Sequence, residues 1–310
     1  MWSDILKNKK IYFLPAWGNT SKQLYDAMIL QSPSASGKWK DIQATECIFE
    51  ADYFIVQDYT YDELEAFLSI NHLWDQVYSF GREVPGGGLI KRYKNVKEFS
   101  YLLKNSYLFT KWVYPNQING GVSVSYDKLK DLEPPQKDEL MICVQSNKRI
   151  LQGHVLRLKF IEEYCRRLPQ DIDIAGGISQ EKTFTELKQP IELVDDNKFL
   201  ANLKYKYCLA FDNGQYKNYF GTQFTDALLS WCVPVYWGAP NISEFFPEDS
   251  YISFDVENMD EVERISNIIN DPEDYKRRLP ALKEARQLVL DKYNIWDTIN
   301  EVITTGKSTW

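Results

Sequence analysis

The residues with the most chemistry to offer stand where apolar runs stop. Tyr207-Cys208-Leu209-Ala210-Phe211 reads as a buried strand that gives way to Asp212-Asn213-Gly214, a polar turn at its carboxyl end. A second apolar run, Val233 to Trp237, stops at Gly238-Ala239-Pro240, where an absent side chain lets the backbone approach a ligand closely. Between the two, a helix is expected to start near Gly221-Thr222-Gln223, with Phe224, Ala227, Leu228 and Trp231 at helical spacing on its buried face. Its first N–H groups have no partner within the helix, and the positive end of the dipole lies there, so a phosphate is welcome. Strand, anion-ready helix, strand and Gly-Pro turn form a nucleotide-binding arrangement.

A second group of candidates lies upstream. The strand around Leu140 to Val144 runs into Gln145-Ser146-Asn147, and a helix over His154 to Leu168 follows. His154 and Arg157, three residues apart, share a helical face. Taken alone, Arg157 is an ordinary surface cation; placed after a Ser-Asn strand end, it is a candidate partner for a diphosphate oxygen. His154, just after Gly153, reads as a residue that starts the helix rather than a proton shuttle. Lys148 and Arg149 share the strand-to-helix loop and are either phosphate contacts or solvated charges. Asp195-Asp196 and Asp171-Ile172-Asp173 are the only Asp-x-Asp-like clusters, the chain has two histidines, and its five cysteines show no CxxC spacing. No metal site and no resident cofactor are expected, and the cysteines read as reduced core thiols.

Elements to hold these residues follow from the pattern. In the first half, strands are expected over Lys10 to Pro15, Ala51 to Val56 and Val77 to Phe80, with helices over Ser21 to Leu30 and Tyr61 to Ile70. The polar stretch Asp131 to Asp138, with Pro134-Pro135 inside it, cannot continue a helix and marks a boundary. Beyond it the alternation restarts: strands at Ile172 to Ile174, Cys208 to Phe211, Val233 to Trp237 and Tyr251 to Phe254, and helices over Gly221 to Trp231 and Met259 to Ile269. Two successive α/β domains are therefore expected, 1–132 and 139–275, with 276–310 as terminal helices returning to the first.

Bulk numbers bound the rest. A chain of 310 residues with 44% hydrophobic residues is long enough for two such cores. A net charge of −8 leaves no surplus of Lys and Arg to neutralise a nucleic-acid backbone. No apolar run is long enough to span a bilayer, and the start of the chain has no signal-like apolar region, so a cytoplasmic location, free or peripheral to a membrane, is expected.

The run from Phe211-Asp212-Asn213 through Tyr219, Asp226-Ala227, Pro234, Tyr236-Trp237-Gly238, Pro240, Phe246-Pro247 and Ser250 resembles the donor-binding region of family 10 glycosyltransferases, the α1,3/α1,4-fucosyltransferases. Ser146-Asn147 is similar to that family's Ser-Asn strand end, Arg157 to its phosphate-facing arginine, and Asp173 to Gly177 to its D-x-G-G turn. The likeness holds from about Leu140 to Tyr275. In the first half, Glu83-Val84-Pro85 is similar to the family's E-x-P segment, whose glutamate is the proposed base. What the resemblance implies is a GT-B fold, two Rossmann-like domains facing a central cleft, and metal-independent, inverting transfer of fucose from GDP-fucose to an oligosaccharide or glycoconjugate acceptor. It implies Glu83 as base and Ser146, Asn147, Arg157, Asn213 and Tyr219 at the donor; Lys148, Asp212, Lys217, Thr222 and Gln223 join them as donor candidates from their places in the same loops and at the helix start. One departure bears on the donor: where the family has Glu-Lys, this chain has Thr222-Gln223. Either a nearby cation such as Lys217 compensates, or the donor is another nucleotide sugar, or the chain is a silent glycan-binding or scaffold homologue.

Overall fold

The computed structural model describes residues 8–15, 18–57, 61–80, 97–98, 124–193 and 198–305. Among these residues, those up to Asp131 and those from Leu290 onward form one compact unit, and those between Leu132 and Val289 form the other.

The first unit carries strands β1 (Lys9–Phe13), β2 (Lys38–Trp39), β3 (Ile42–Ala44), β4 (Tyr53–Gln57), β5 (Val77–Phe80) and β6 (Lys97–Glu98). Helices α1 (Ser21–Ile29), α2 (Asp62–Ile70) and α3 (Tyr126–Lys130) intervene. The sheet runs β2-β3-β1-β4-β5-β6, parallel throughout except where β2 turns back on β3. Because a parallel sheet is covered on both faces, its strands are apolar: Ile11, Phe13, Phe54, Ile55 and Val56 are buried. Helix α1 opens with Thr20, whose hydroxyl accepts from the backbone N–H of Gln23 at 3.3 Å, while the Gln23 side chain accepts from the Thr20 N–H at 2.8 Å. That reciprocal pair caps the first turn.

The second unit carries β7 (Glu139–Val144), α4 (Gln152–Arg167), β8 (Ile172–Ala175), α5 (Lys182–Leu187), α6 (Lys198–Asn202), β9 (Tyr205–Phe211), α7 (Thr222–Leu229), β10 (Val233–Trp237), β11 (Ile252–Ser253), α8 (Glu261–Ile269) and α9 (Asp274–Gln287). Its sheet, ordered β11-β10-β9-β7-β8, is parallel at every pair. The strand order reverses beside β7 and β9. At such a reversal, adjacent connections leave on opposite faces and open a crevice at the carboxyl ends. Met141 pairs with Tyr207, and Leu209 with Val235, so those ends are in step.

The expected α/β class is what the two parallel sheets display. At the carboxyl end of the chain the division differs from expectation. Helix α9 stays with the second unit, and only from Leu290 does the chain join the first, through a π-helical turn over Leu288–Lys292 and α10 (Ile295–Thr305). Trp296 explains the return: fully buried, its indole N–H donates to the Met28 carbonyl at 2.9 Å and its ring meets Phe13 edge-on. Among the described cysteines, four are buried and unpaired and Cys47 is exposed. No helix of the described residues is long and apolar enough to cross a membrane.

Candidate functional site

Within the second unit, the crevice between β7 and β9 gathers the polar side chains. Strand β7 delivers Gln145 and Ser146, β9 delivers Asp212 and Asn213, and α4 and α7 begin beside them. Helix α4 gets close because its second residue is Gly153: a Cβ there would meet the Asn213 carbonyl oxygen at 2.3 Å. The turn after β8 closes in the same way, with Gly176 at φ +83° and a Cβ-to-Gln145 oxygen distance of only 2.9 Å. Both approaches exclude any side chain.

Arg157 sits at the centre, 3% exposed. Its Nη2 donates to the Ser146 hydroxyl at 2.8 Å and carbonyl at 3.2 Å, and its Nη1 to Asn213 Oδ1 at 3.4 Å. Every one of these acceptors is neutral. Its Nε makes no hydrogen bond among the described residues, and the same is true of Nε2 of Gln145, which is also 3% exposed. Burial pulls the guanidinium below its ordinary range. A buried cation with neutral partners and two spare buried donors is costly unless an anion joins it.

His154 fixes the orientation of this cluster. The Leu151 N–H donates to Nδ1 at 3.2 Å, so the proton resides on Nε2, which donates to Asn213 Oδ1 at 2.9 Å. The histidine therefore starts the helix and positions Asn213, as its place after Gly153 suggests.

Asp212 has a different task from the one expected of it. At 3% exposure its carboxylate is enclosed: Oδ1 accepts from the Gly221 N–H at 2.7 Å, and Oδ2 from the Tyr236 hydroxyl, which in turn accepts from the Ala239 N–H at 2.8 Å. Gly221 and Gly238 permit this, since a Cβ on either would lie within 2.4 Å of that carboxylate. Asp212 thus clips the end of β9 to the start of α7 and the end of β10. Desolvation pushes its carboxyl up to about 7 despite the Tyr236, Gly221 and Lys198 contributions that pull the other way. Tyr236, in the apolar run from Val233 to Trp237, is core by burial but polar in role.

The remaining expected residues divide. Gln223 Nε2 donates to the Val144 carbonyl at 3.0 Å, and Thr222 Oγ1 accepts from Lys198 at 3.2 Å, so both lie at the first turn of α7 beside the strand ends. Asn147 faces the turn after β8, where a Cβ on Gly177 would stand 2.9 Å from its N–H. Tyr219 is buried, packed edge-on against Tyr216 at 6.2 Å. Lys148 and Lys217 are exposed, and neither is drawn into the cluster. Arg149 is taken by a bidentate pair with Glu181 at 2.6 and 2.5 Å. Asp173 accepts from Tyr205 at 2.7 Å and pairs with Lys188 at 3.1 Å, while Asp171 accepts from Ser266 at 2.5 Å. These two acids hold neighbouring elements together. Glu83 and Asp195-Asp196 lie outside the described residues. Sequence reasoning missed Lys198 and Gln145. A glutamine at the end of an otherwise apolar strand is a visible signal; Lys198, contributed by a five-residue helix, leaves none.

Residues 134–280 match the family described as glycosyltransferase family 10 (fucosyltransferase) C-term. The alpha-(1,3)-fucosyltransferase FucT of Helicobacter pylori is 36% identical over 66 residues, 21% of this chain and 13% of that protein. The human GDP-fucose protein O-fucosyltransferase 3 is 30% identical over 91 residues, 28% and 19% respectively, and a putative fucosyltransferase-like protein of Arabidopsis thaliana is 37% identical over 71 residues, 23% and 14%. The matched stretches thus span less than a fifth of these relatives' own length. A solved α1,3-fucosyltransferase with GDP-fucose aligns over 94% of this chain and 93% of its own, at 16% identity and a TM-score of 0.48. The residues built around Arg157, Asn213 and the start of α7 fall inside the matched segment, and over residues 134–280 this chain is similar to the carboxyl-terminal region of glycosyltransferase family 10.

Proposed function

We propose that the chain transfers fucose from GDP-fucose to a hydroxyl of a glycan acceptor, by a single displacement that inverts the anomeric carbon and uses no metal ion. The observation that carries this reading is Arg157, a buried guanidinium whose described partners are all neutral, at the strand ends where α4 and α7 begin. A nucleoside diphosphate supplies the missing charge.

In this reading the acceptor oxygen bonds to the anomeric carbon, the carbon–oxygen bond to the β-phosphate breaks, and GDP departs with the electron pair. Glu83 takes the acceptor proton. Arg157 and the first-turn N–H groups of α7 stabilise the charge that builds on the leaving diphosphate. The assignment of fucose rests on the family and on relatives whose names specify fucosyl transfer. Thr222-Gln223 in place of Glu-Lys favours a second reading, the same chemistry with a different nucleotide sugar.

A thermal-shift panel of GDP, UDP, CMP and their sugars separates these, because a ligand raises apparent stability according to its affinity. GDP and GDP-fucose are expected to shift the midpoint most, and GDP-fucose to be turned over. Turnover of another nucleotide sugar alone supports the second reading. Glycan binding without turnover of any donor overturns both. Glu83→Gln should abolish transfer while leaving GDP binding intact; unchanged turnover removes Glu83 from the role of base.

A further inference from the structure

Thr222 and Gln223 leave the start of α7 without a cation of its own, and the fold brings one in from elsewhere. Lys198, the first residue of α6, places its ammonium 3.2 Å from Thr222 Oγ1 and 2.6 Å from Asp226 Oδ2. Asp226 lies one turn beyond Thr222 and is fully buried, while the Lys198 side chain keeps 12% exposure. The contact with Thr222 is a hydrogen bond and that with Asp226 an ion pair, and an ammonium has three protons to direct. The same ammonium is among the groups that pull the Asp212 carboxyl down against its burial.

We propose that Lys198 is a donor-binding residue, a second cation that completes the diphosphate site with Arg157. The electrostatics at the strand ends favour this. Arg157 and Lys198 contribute two positive charges, Asp226 removes one, and Asp212 is kept from ionising fully by burial near neutral pH. A net positive charge remains, reinforced by the free N–H groups at the start of α7, whose N-cap is a glycine with no side-chain cap. Lys217, the alternative source of charge, is exposed and outside this cluster. The Thr222 hydroxyl and the Asp226 carboxylate hold Lys198 in one place, so little side-chain freedom is lost when a phosphate oxygen arrives.

This inference rests on the donor-site reading, and the test is built to separate the two. Lys198→Met alone strands Asp226 as a buried uncompensated charge and threatens folding. The informative protein is the double variant Lys198→Met/Asp226→Asn, in which cation and counter-ion leave together. Affinities for GDP, UDP, guanosine and uridine are measured by calorimetry on wild type and variant. The expected result is a loss of roughly tenfold or more for the nucleoside diphosphate that wild type binds, with the matching nucleoside unaffected. Adding Gln223→Lys to the double variant should recover most of that loss by moving the cation onto α7 itself. A double variant that binds the diphosphate as wild type does assigns Lys198 solely to Asp226 and overturns the proposal. Equal losses for diphosphate and nucleoside also overturn it, since a distorted helix rather than a missing charge produces them. Wild-type protein that binds neither GDP nor UDP removes the donor-site reading, and this inference with it.

Discussion

The two ends of α7 handle buried polar groups in opposite ways. At its carboxyl end every last-turn group in view is answered: Lys137 donates to the carbonyls of Ser230 at 2.7 Å and Asn202 at 2.9 Å, Arg286 to Leu229 at 3.0 Å, and the Tyr275 hydroxyl to Trp231 at 2.8 Å. At its amino end the capping residue is glycine, and the neighbouring Arg157 and Gln145 each keep a buried N–H without a hydrogen bond among the described residues. Both ends bury a cation, since Lys137 is 8% and Arg157 3% exposed. Both cations face neutral acceptors, Lys137 two fixed backbone carbonyls and Arg157 the oxygens of Ser146 and Asn213. Burial of charge alone does not mark a site. The difference lies in the buried N–H groups of Arg157 and Gln145 that have no hydrogen bond among the described residues.

Three substitutions press on that contrast. The largest effect is expected from Arg157→Met, which should weaken GDP roughly a hundredfold by calorimetry. The unliganded midpoint should change little, because relief of a desolvated charge offsets the loss of its bonds to Ser146 and Asn213. A fall in stability with affinity preserved would make Arg157 an ordinary structural residue and erase the difference between the ends. Lys137→Met should do the reverse, costing about 1–3 kcal/mol in chemical denaturation by orphaning two carbonyls. Its GDP affinity should stay within about twofold of wild type, as expected for a site at the far end of the helix.

The smallest effect is one of pH. The Asp212 carboxyl is raised from 3.8 to about 7, so between those values the folded chain holds a proton that the unfolded chain has released. Stability from this group is fully present below about pH 4 and is lost as pH rises through 7. Asp212→Asn should flatten that decline in denaturation midpoints collected across the window; an unaltered slope would show that the carboxyl is ionised throughout.

The contrast also explains what could be read from sequence. Strands bounded by polar turns were legible to within a residue or two: the expected Val77 to Phe80 and Val233 to Trp237 coincide with β5 and β10. Strands β2 and β3, two and three residues long, and helix α6, of five, are too short to build a periodicity, and none was foreseen. In the site, Ser146, Arg157 and Asn213 were identified from their places at strand ends and on a helix face, and the structure brings them into contact. What stayed hidden was pairing over long separations. Asp212 turns away to Tyr236, 24 positions along, and the cation at Thr222 is Lys198, 24 positions before it, rather than the nearby Lys217. Local pattern says which residues reach a strand end, not which of them are already engaged there.

The return of the chain to the first unit at Leu290 bears on the order in which the protein is made. The second unit is nearly continuous in sequence and can close its sheet as soon as Val289 has cleared the ribosome. The first unit cannot. Trp296 must still arrive to bury itself against Phe13 and Met28, Asn294 to bond the Gln31 carbonyl at 3.0 Å, and Asp297 to receive the Trp39 indole at 3.1 Å. The half that is synthesised first is therefore the half completed last, and for the length of some 160 intervening residues its core waits open for its final helix.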